Sequence, residues 1–405
     1  MRFRLGLLLT GLILTQTVSV SPLFAADPPA RVASASPNAA VIYWQAFAAL
    51  PPLEGEQQSK YEAAIKSSTQ PVTEDLQPIV ARFDTSLREL HRARGVAMCD
   101  WNLNYDDGPQ LLLPHLQKVR DVSQAALLRA RLRFAAKVPD EAVADVIAVL
   151  KMARDCASSP VLISLLVGRS IENKAMELLT ANLASLSPQQ LDSLSASLKT
   201  LPATSSLADC MRIEGQFIGD WVERFIDAEA AKLNDPNAGG KILDALLKQC
   251  GSLTPANKAD AAGQRKLLES LTVADVRESL RLMRADYAQL AKIAGLRPAE
   301  RRGHWTELEA ALAETRKFAK PTGVLSLALL PAVAAVSDRE ERFNVHWSLF
   351  TFAIQVQRNG PDAIKDATVP DYGQVEYRKT DAGFELRCQP GSADTPEVLK
   401  VRTAK

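Results

Sequence analysis

The sequence predicts an all-α protein: an irregular array of αα-hairpins with tetratricopeptide-like pairing, finished by a small C-terminal β-hairpin. Three observations predict it. Alanine and leucine dominate, while glycine (19 residues) and aromatic residues (6%) are scarce, a balance that favours helices over sheets. Apolar residues recur at three-and-four spacing through the long middle of the chain. Only the last segment breaks into short runs around a turn.

In chain order, the leader comes first. Arg2 and Arg4 precede an apolar run from Leu5 to Leu14, and Ala25-Ala26 supply small residues before Asp27. This is the layout of a secretory signal peptide, and the apolar run is short for a membrane span. Residues 1–26 are thus read as a leader, 27–335 as the helical array, and 336–405 as a helix, loop and β-hairpin with a frayed tail. Export to the periplasm or beyond is expected, with no integral membrane span once the leader is removed. Cleavage after Ala26 leaves 379 residues (405 − 26) with a formal charge of −1 (46 − 47). Such a balance gives no electrostatic footprint for nucleic acid or an anionic membrane.

Helix signals follow. Ser36 is the expected N-cap of "PNAAVIYWQAFAAL", with Pro37 at the first helical position. From Leu112 the apolar positions Leu116, Val119, Val122, Ala126, Ala130 and Phe134 mark one buried face. "KVPD" turns the chain, and Val143, Val146, Leu150 and Ala153 continue with the same period, so the two helices form an αα-hairpin. Ser187-Pro188 opens another helix. Thr272 and Asp275 make a capping-box variant, with Gly295 as the stop. A helix near 338–358 gives way to "QVEYRK", "TDAG" and "FELRC", read as strand, turn and strand, with Gly383 permitting the turn. No fixed-period repeat is present.

The segments "NAAVIYWQAFAALP", "CDWNLNYDDGPQLLLPHLQKVRDVSQAALLRARL" and "SPVLISLLVGRSIENKAMELL" resemble uncharacterised exported helical proteins of planctomycete-type bacteria. That resemblance implies export and a helical fold and carries no activity. The tail "VEYRKTDAGFELRCQPG" resembles the C-terminal layout of type II secretion pseudopilins: Phe384 and Leu386 fit, Cys388 stands where serine is usual, and the leader is not of prepilin type.

For chemistry, "CDWNLNYDDG" at 99–108 stands out. Asp100, Asn102, Asn104 and Asp106 place oxygen ligands at alternate positions, as a calcium loop does. An EF-hand also needs glycine sixth and glutamate twelfth; Tyr105 and Leu111 stand there, which excludes it. Asp106 and Asp107 could share acid and base roles only if their environments separated their pKa values. The architectural reading has Asp107 capping the next helix while Trp101 and Tyr105 pack the corner against the hairpin. Asp100, Trp101, Tyr105, Asp106 and Asp107 form the candidate ligand-binding set.

Elsewhere, Glu300 and His304 lie one helical turn apart, too few for a metal centre. Arg277, Arg281 and Arg284 form a stripe that reads as a solvated mixed-charge face beside Glu278 and Asp286. The five cysteines are scattered, without a Cys-x-x-Cys pair. Most read as small buried hydrophobes, and a Cys99–Cys156 disulfide requires the Cys99 loop to fold back along the hairpin. No nucleophile elbow, phosphate loop, dinucleotide fingerprint or zinc helix occurs, so neither a cofactor nor a catalytic set is expected. The function expected is an exported helical binding or scaffold protein with an envelope protein as partner. The alternative is an envelope polysaccharide hydrolase or lyase on a helical toroid, using acids such as Asp100, Asp106 or Glu214. A purely structural shell or secretion accessory role is a third.

Overall fold

A computed structural model describes residues 37–67, 71–250, 270–317, 323–330, 333–389 and 396–403. The leader, its cleavage zone and Ser36 lie outside the described residues. The first helix, α1 (Ala39–Ala48), is capped by Asn38, whose Oδ1 accepts from Ala40 N at 3.0 Å; Pro37 stays outside the helix. Three more helices follow: α2 (Gly55–Ile65), α3 (Gln77–Ala81) and α4 (Asp84–Ala93).

The expected hairpin is α5 (His115–Ala135) and α6 (Pro139–Ala157). Leu116, Val119, Val122, Ala126, Ala130 and Phe134 are all buried, as are Val146, Leu150 and Ala153 across from them. Lys137 makes the reversal with a left-handed φ of 62°, and Val138 N closes the helix end by donating to Arg133 O at 2.9 Å. The next helix, α7 (Leu162–Asn182), packs on α6, followed by α8 (Pro188–Lys199). The Ser187–Gln190 capping box forms at the start of α8.

A second set comprises α9 (Leu207–Leu233), α10 (Gly239–Gln249), α11 (Val273–Ala294), α12 (Pro298–Lys317) and α13 (Val324–Leu329). Thr272 and Asp275 form the capping box of α11, and Gly295 ends that helix. The long α14 (Val333–Asn359) then leads to the β segment.

Two hydrophobic cores lie within the one unit formed by residues 38–405. The first is built from α1 to α8, from Phe343 to Val356 of α14, and from the C-terminal strands. The second is built from α9 to α13, together with Leu162 and Leu165 of α7 and Val336 of α14. The division expected at residue 335 therefore falls inside α14, which serves both cores. Fully buried side chains such as Leu150, Leu179 and Phe350 each contribute roughly 1.5–3 kcal/mol of transfer free energy.

At the C-terminus, β1 (Thr368–Val369) pairs with β2 (Gly373–Gln374), and β3 (Glu376–Thr380), β4 (Gly383–Cys388) and β5 (Glu397–Arg402) form an antiparallel sheet in that order. The tail expected to fray instead supplies the third strand. Leu399 and Val401 alternate inward, so pairing with β4 completes the apolar face formed by Phe384, Leu386 and Cys388 against α14. Gly383 turns the hairpin with φ 145°, and a Cβ there would meet Val401 O at 2.1 Å. Among the described residues no helix is long and apolar enough to cross a membrane.

Candidate functional site

The corner at 99–108 is assembled by α1. Asn38 Nδ2 donates to Asp100 O at 2.8 Å, its Oδ1 accepts from Asp100 N at 2.9 Å, and Ala39 N donates to Met98 O at 2.8 Å. Trp101 is driven inside, where its ring stacks on His115 at 4.3 Å and on Tyr43 at 5.7 Å, and its Nε1 donates to Asp155 O at 3.0 Å. Asp100 Oδ1 accepts from Asn102 N at 2.9 Å in an Asx turn, with Asn102 at φ 51°.

Two expectations for the corner are corrected. Asp107 does not cap α5: Tyr105–Gln110 is a 3-10 turn kinked at Gly108 (φ 56°), and α5 begins only at His115, after Pro114. A Cβ on Gly108 would lie 2.3 Å from Trp221 Cγ, so α9 presses the turn out of line with α5. Asp107 Oδ1 instead accepts from Asn104 Nδ2 at 2.9 Å. Tyr105 packs on Phe217 of α9, with ring centroids 5.4 Å apart, rather than on the hairpin. Asp106 is exposed and pairs with Arg224 at 3.4 Å. The structure thus brings Asp100, Asp106 and Asp107 to one loop but gives each a separate local partner. Trp101, below them, is committed to the core.

Under Trp101 lies a buried polar knot. Asp155 Oδ2 accepts from Tyr43 OH at 2.6 Å and from Lys151 Nζ at 2.5 Å. Burial pushes the Asp155 carboxyl up although Lys151 and Tyr43 pull it down, and burial raises the Tyr43 phenol well above its ordinary value. The Cys99 loop does fold back along the hairpin, since Trp101 reaches the carbonyl of the residue before Cys156. None of the five cysteines, however, is joined in a disulfide. Burial pushes Cys156 up to about 12, which leaves it an unreactive thiol.

The arginine stripe is a ladder of ion pairs: Arg277 with Asp227 (2.9 Å), Arg281 with Glu278 (2.7 Å), and Arg284 with Asp220 and Glu223 (2.8 Å each). Glu300 pairs with Arg297 and His304 with Glu307 (3.4 Å), so the Glu300–His304 spacing builds no ligand pair. Among the described residues no cluster of three His, Cys, Asp or Glu side chains could hold a metal ion.

The more site-like place was not evident in the sequence. Where α7 and α14 run between the two cores, they and Glu397 at the start of β5 enclose a groove of about 480 Å³. Its floor is an ionic strut. Arg169 donates to Glu340 (Nη2–Oε1 2.7 Å, with Nε 3.1 Å from both oxygens), to Glu172 (2.7 Å) and to Thr204 (3.0 Å). Glu172, fully buried, also accepts from Arg154 Nε at 2.8 Å. Each guanidinium lies over a ring: Arg169 4.2 Å from the Phe343 centroid and Arg154 4.5 Å from Trp347. Burial opposes the charge on Arg169, but Glu340 and Glu172 outweigh it and raise its pKa.

Above the strut, Ser170, Asn173, Arg339 and Arg342 line the opening with His346. Arg342 pairs with Glu397. Burial lowers the His346 pKa against the opposing pull of Glu397 and Glu177. The sequence signal that could have flagged this place is Arg169-x-x-Glu172, a charged pair one turn apart directly after the apolar first turns of α7. Its partner Glu340 lies 171 residues away.

Glu214, a candidate acid in the enzyme reading, caps α7: its Oε1 accepts from Leu162 N at 2.6 Å. Burial raises its pKa to about 7, the value of a general acid. It is, however, committed to the core between α7 and α9. Comparison with protein families, with curated proteins and with solved structures finds no match for this chain.

Proposed function

We propose that this is an exported, non-catalytic binding or scaffold protein of the cell envelope, whose partner protein seats along the α7–α14 groove. The observation that carries the reading is the ionic strut beneath that groove. Arg154, Glu172, Arg169 and Glu340 neutralise one another inside it, so the groove keeps its shape without a ligand, and pre-organised surfaces lose less on binding. Grooves of this volume at the meeting of two cores are also common ligand sites. Glu340 and Glu397 each lie against an arginine. That is the opposite of the apolar surroundings which hold a general acid protonated, and so supports binding over hydrolysis. The leader, by its basic, apolar and small-residue order, supports export.

The test is a photocrosslinking residue placed at Ser170 or Arg339 in the native cell envelope, with Lys232 on α9 as the exposed control. One dominant protein captured from the groove positions and not from Lys232 is expected. Retention of glycan with no protein captured would overturn the reading in favour of the polysaccharide enzyme.

A further inference from the structure

A second groove, of about 610 Å³, opens on α4, α5 and α6, away from the α7–α14 groove. Beneath its lining side chains lies Asp145, 0% exposed. His91 Nε2 lies 2.6 Å from Oδ1, and Arg129 grips the same carboxylate through Nη2 (2.7 Å) and Nε (3.0 Å). Arg133 Nη1 reaches Oδ2 at 2.7 Å. Burial pushes this carboxyl up, but the hydrogen bonds from His91 and Arg129, with the charges of Arg129 and Arg133, override it and hold it below the usual range. One buried anion therefore fixes the orientation of two guanidinium planes and an imidazole.

What remains on the solvent side is basic. Arg88 lines the groove, is exposed, and donates only to Thr85 Oγ1 at 3.2 Å among the described residues. His91, held through Nε2 on Asp145, lines the same groove. The compensating carboxylates sit on the rim: Asp84 reaches Arg129 at 3.3 Å and Glu141 reaches Arg133 at 3.0 Å, with side chains 61% and 59% exposed. Exposed pairs of this kind are weak and easily exchanged, whereas the buried bonds to Asp145 persist.

We propose that this groove is an oxyanion site that takes a phosphate or sulfate group. Arg88, Arg129 and Arg133 bind it, His91 borders it, and Asp145 acts as the positioning residue. Forked guanidinium donors suit a multi-oxygen anion better than a point charge does. On binding, the anion displaces the Asp84 and Glu141 carboxylates and takes over their arginines.

The experiment follows the His91 ring resonances, assigned with His91→Gln, while inorganic sulfate and then phosphate are titrated at low ionic strength, with chloride as control. A saturable shift with sulfate and phosphate but not with chloride is expected. Arg88→Ala, at an exposed position outside both cores, should weaken binding about tenfold, the cost of one charged contact. The pair Asp84→Asn and Glu141→Gln should tighten it, a direction that a merely structural role does not give. A shift that never saturates, or midpoints unchanged in both variants, overturns the site. Repeating the titration with a sulfated or phosphorylated sugar names the source: tighter binding than the free ion identifies a glycan ester, and equal binding the free ion.

Discussion

Replacing Glu214 with glutamine isolates one titration in the protein's stability. The side chain is 8% exposed and makes a single hydrogen bond, from Leu162 N at 2.6 Å. Its carboxyl titrates at about 7 in the fold against an ordinary value of 4.5, because burial penalises the charge more than the α7 amide rewards it. Below pH 4.5 both folded and unfolded chains hold the proton. Between 4.5 and 7 the unfolded chain gives it up first, so wild-type stability falls by ~1.4 kcal/mol for each pH unit. Above 7 both states are ionised and the loss levels off at about 3 kcal/mol. Glutamine keeps an oxygen for Leu162 N and does not titrate. The stability of Glu214→Gln relative to wild type should therefore be near zero at pH 4 and rise to about 3 kcal/mol by pH 8, roughly 4 °C in midpoint. Thermal and urea unfolding of both proteins from pH 4 to 9 measures it. A difference that is flat in pH, or that shrinks as pH rises, would refute the reasoning.

Three further outcomes follow from the packing. His115 stacks on Trp101, and burial lowers its pKa to about 4 from 6.5, so the wild type loses about 3 kcal/mol as pH falls from 6.5 to 4. His115→Phe keeps a stacking ring and should remove that acid loss, visible as a pH-dependent gap between the two unfolding curves. Gly215→Ala places a Cβ 2.6 Å from Tyr287 Cβ and should cost about 1–3 kcal/mol, whereas Gly219→Ala meets the movable Arg284 side chain and should cost less; calorimetric midpoints rank them. Asp145→Ala strands Arg129, Arg133 and His91 without their buried anion and should cost about 3–5 kcal/mol, while Asp84→Ala, an exposed pair, should cost under about 1 kcal/mol in the same denaturant titration.

What the sequence made legible was local. The helix start at Ser187, the box at Thr272 and the face from Leu116 to Phe134 are settled within a few residues, and the structure carries them. The failures were decided from a distance. Asn38 caps α1 while also holding the 98–100 loop, a partnership 62 residues apart in sequence. Asp107 lost its capping role to Gly108, whose conformation answers to Trp221 on α9. Arg169 and Glu340 have no spacing that a reader of one stretch could recognise. Their meeting depends on α14 returning to the first core.

That return has a bearing on how the protein comes into being. Synthesis proceeds from the N-terminus, and all but a few side chains of the second core lie between Leu207 and Val336. The first core, begun at Ala39, lacks Phe343, Phe350, Leu386 and Val401 until the chain is nearly finished. The middle of the protein can therefore gather its apolar residues while the earlier-made helices still lack a wall. A stop codon within α14 would leave a gap in the part of the fold made first.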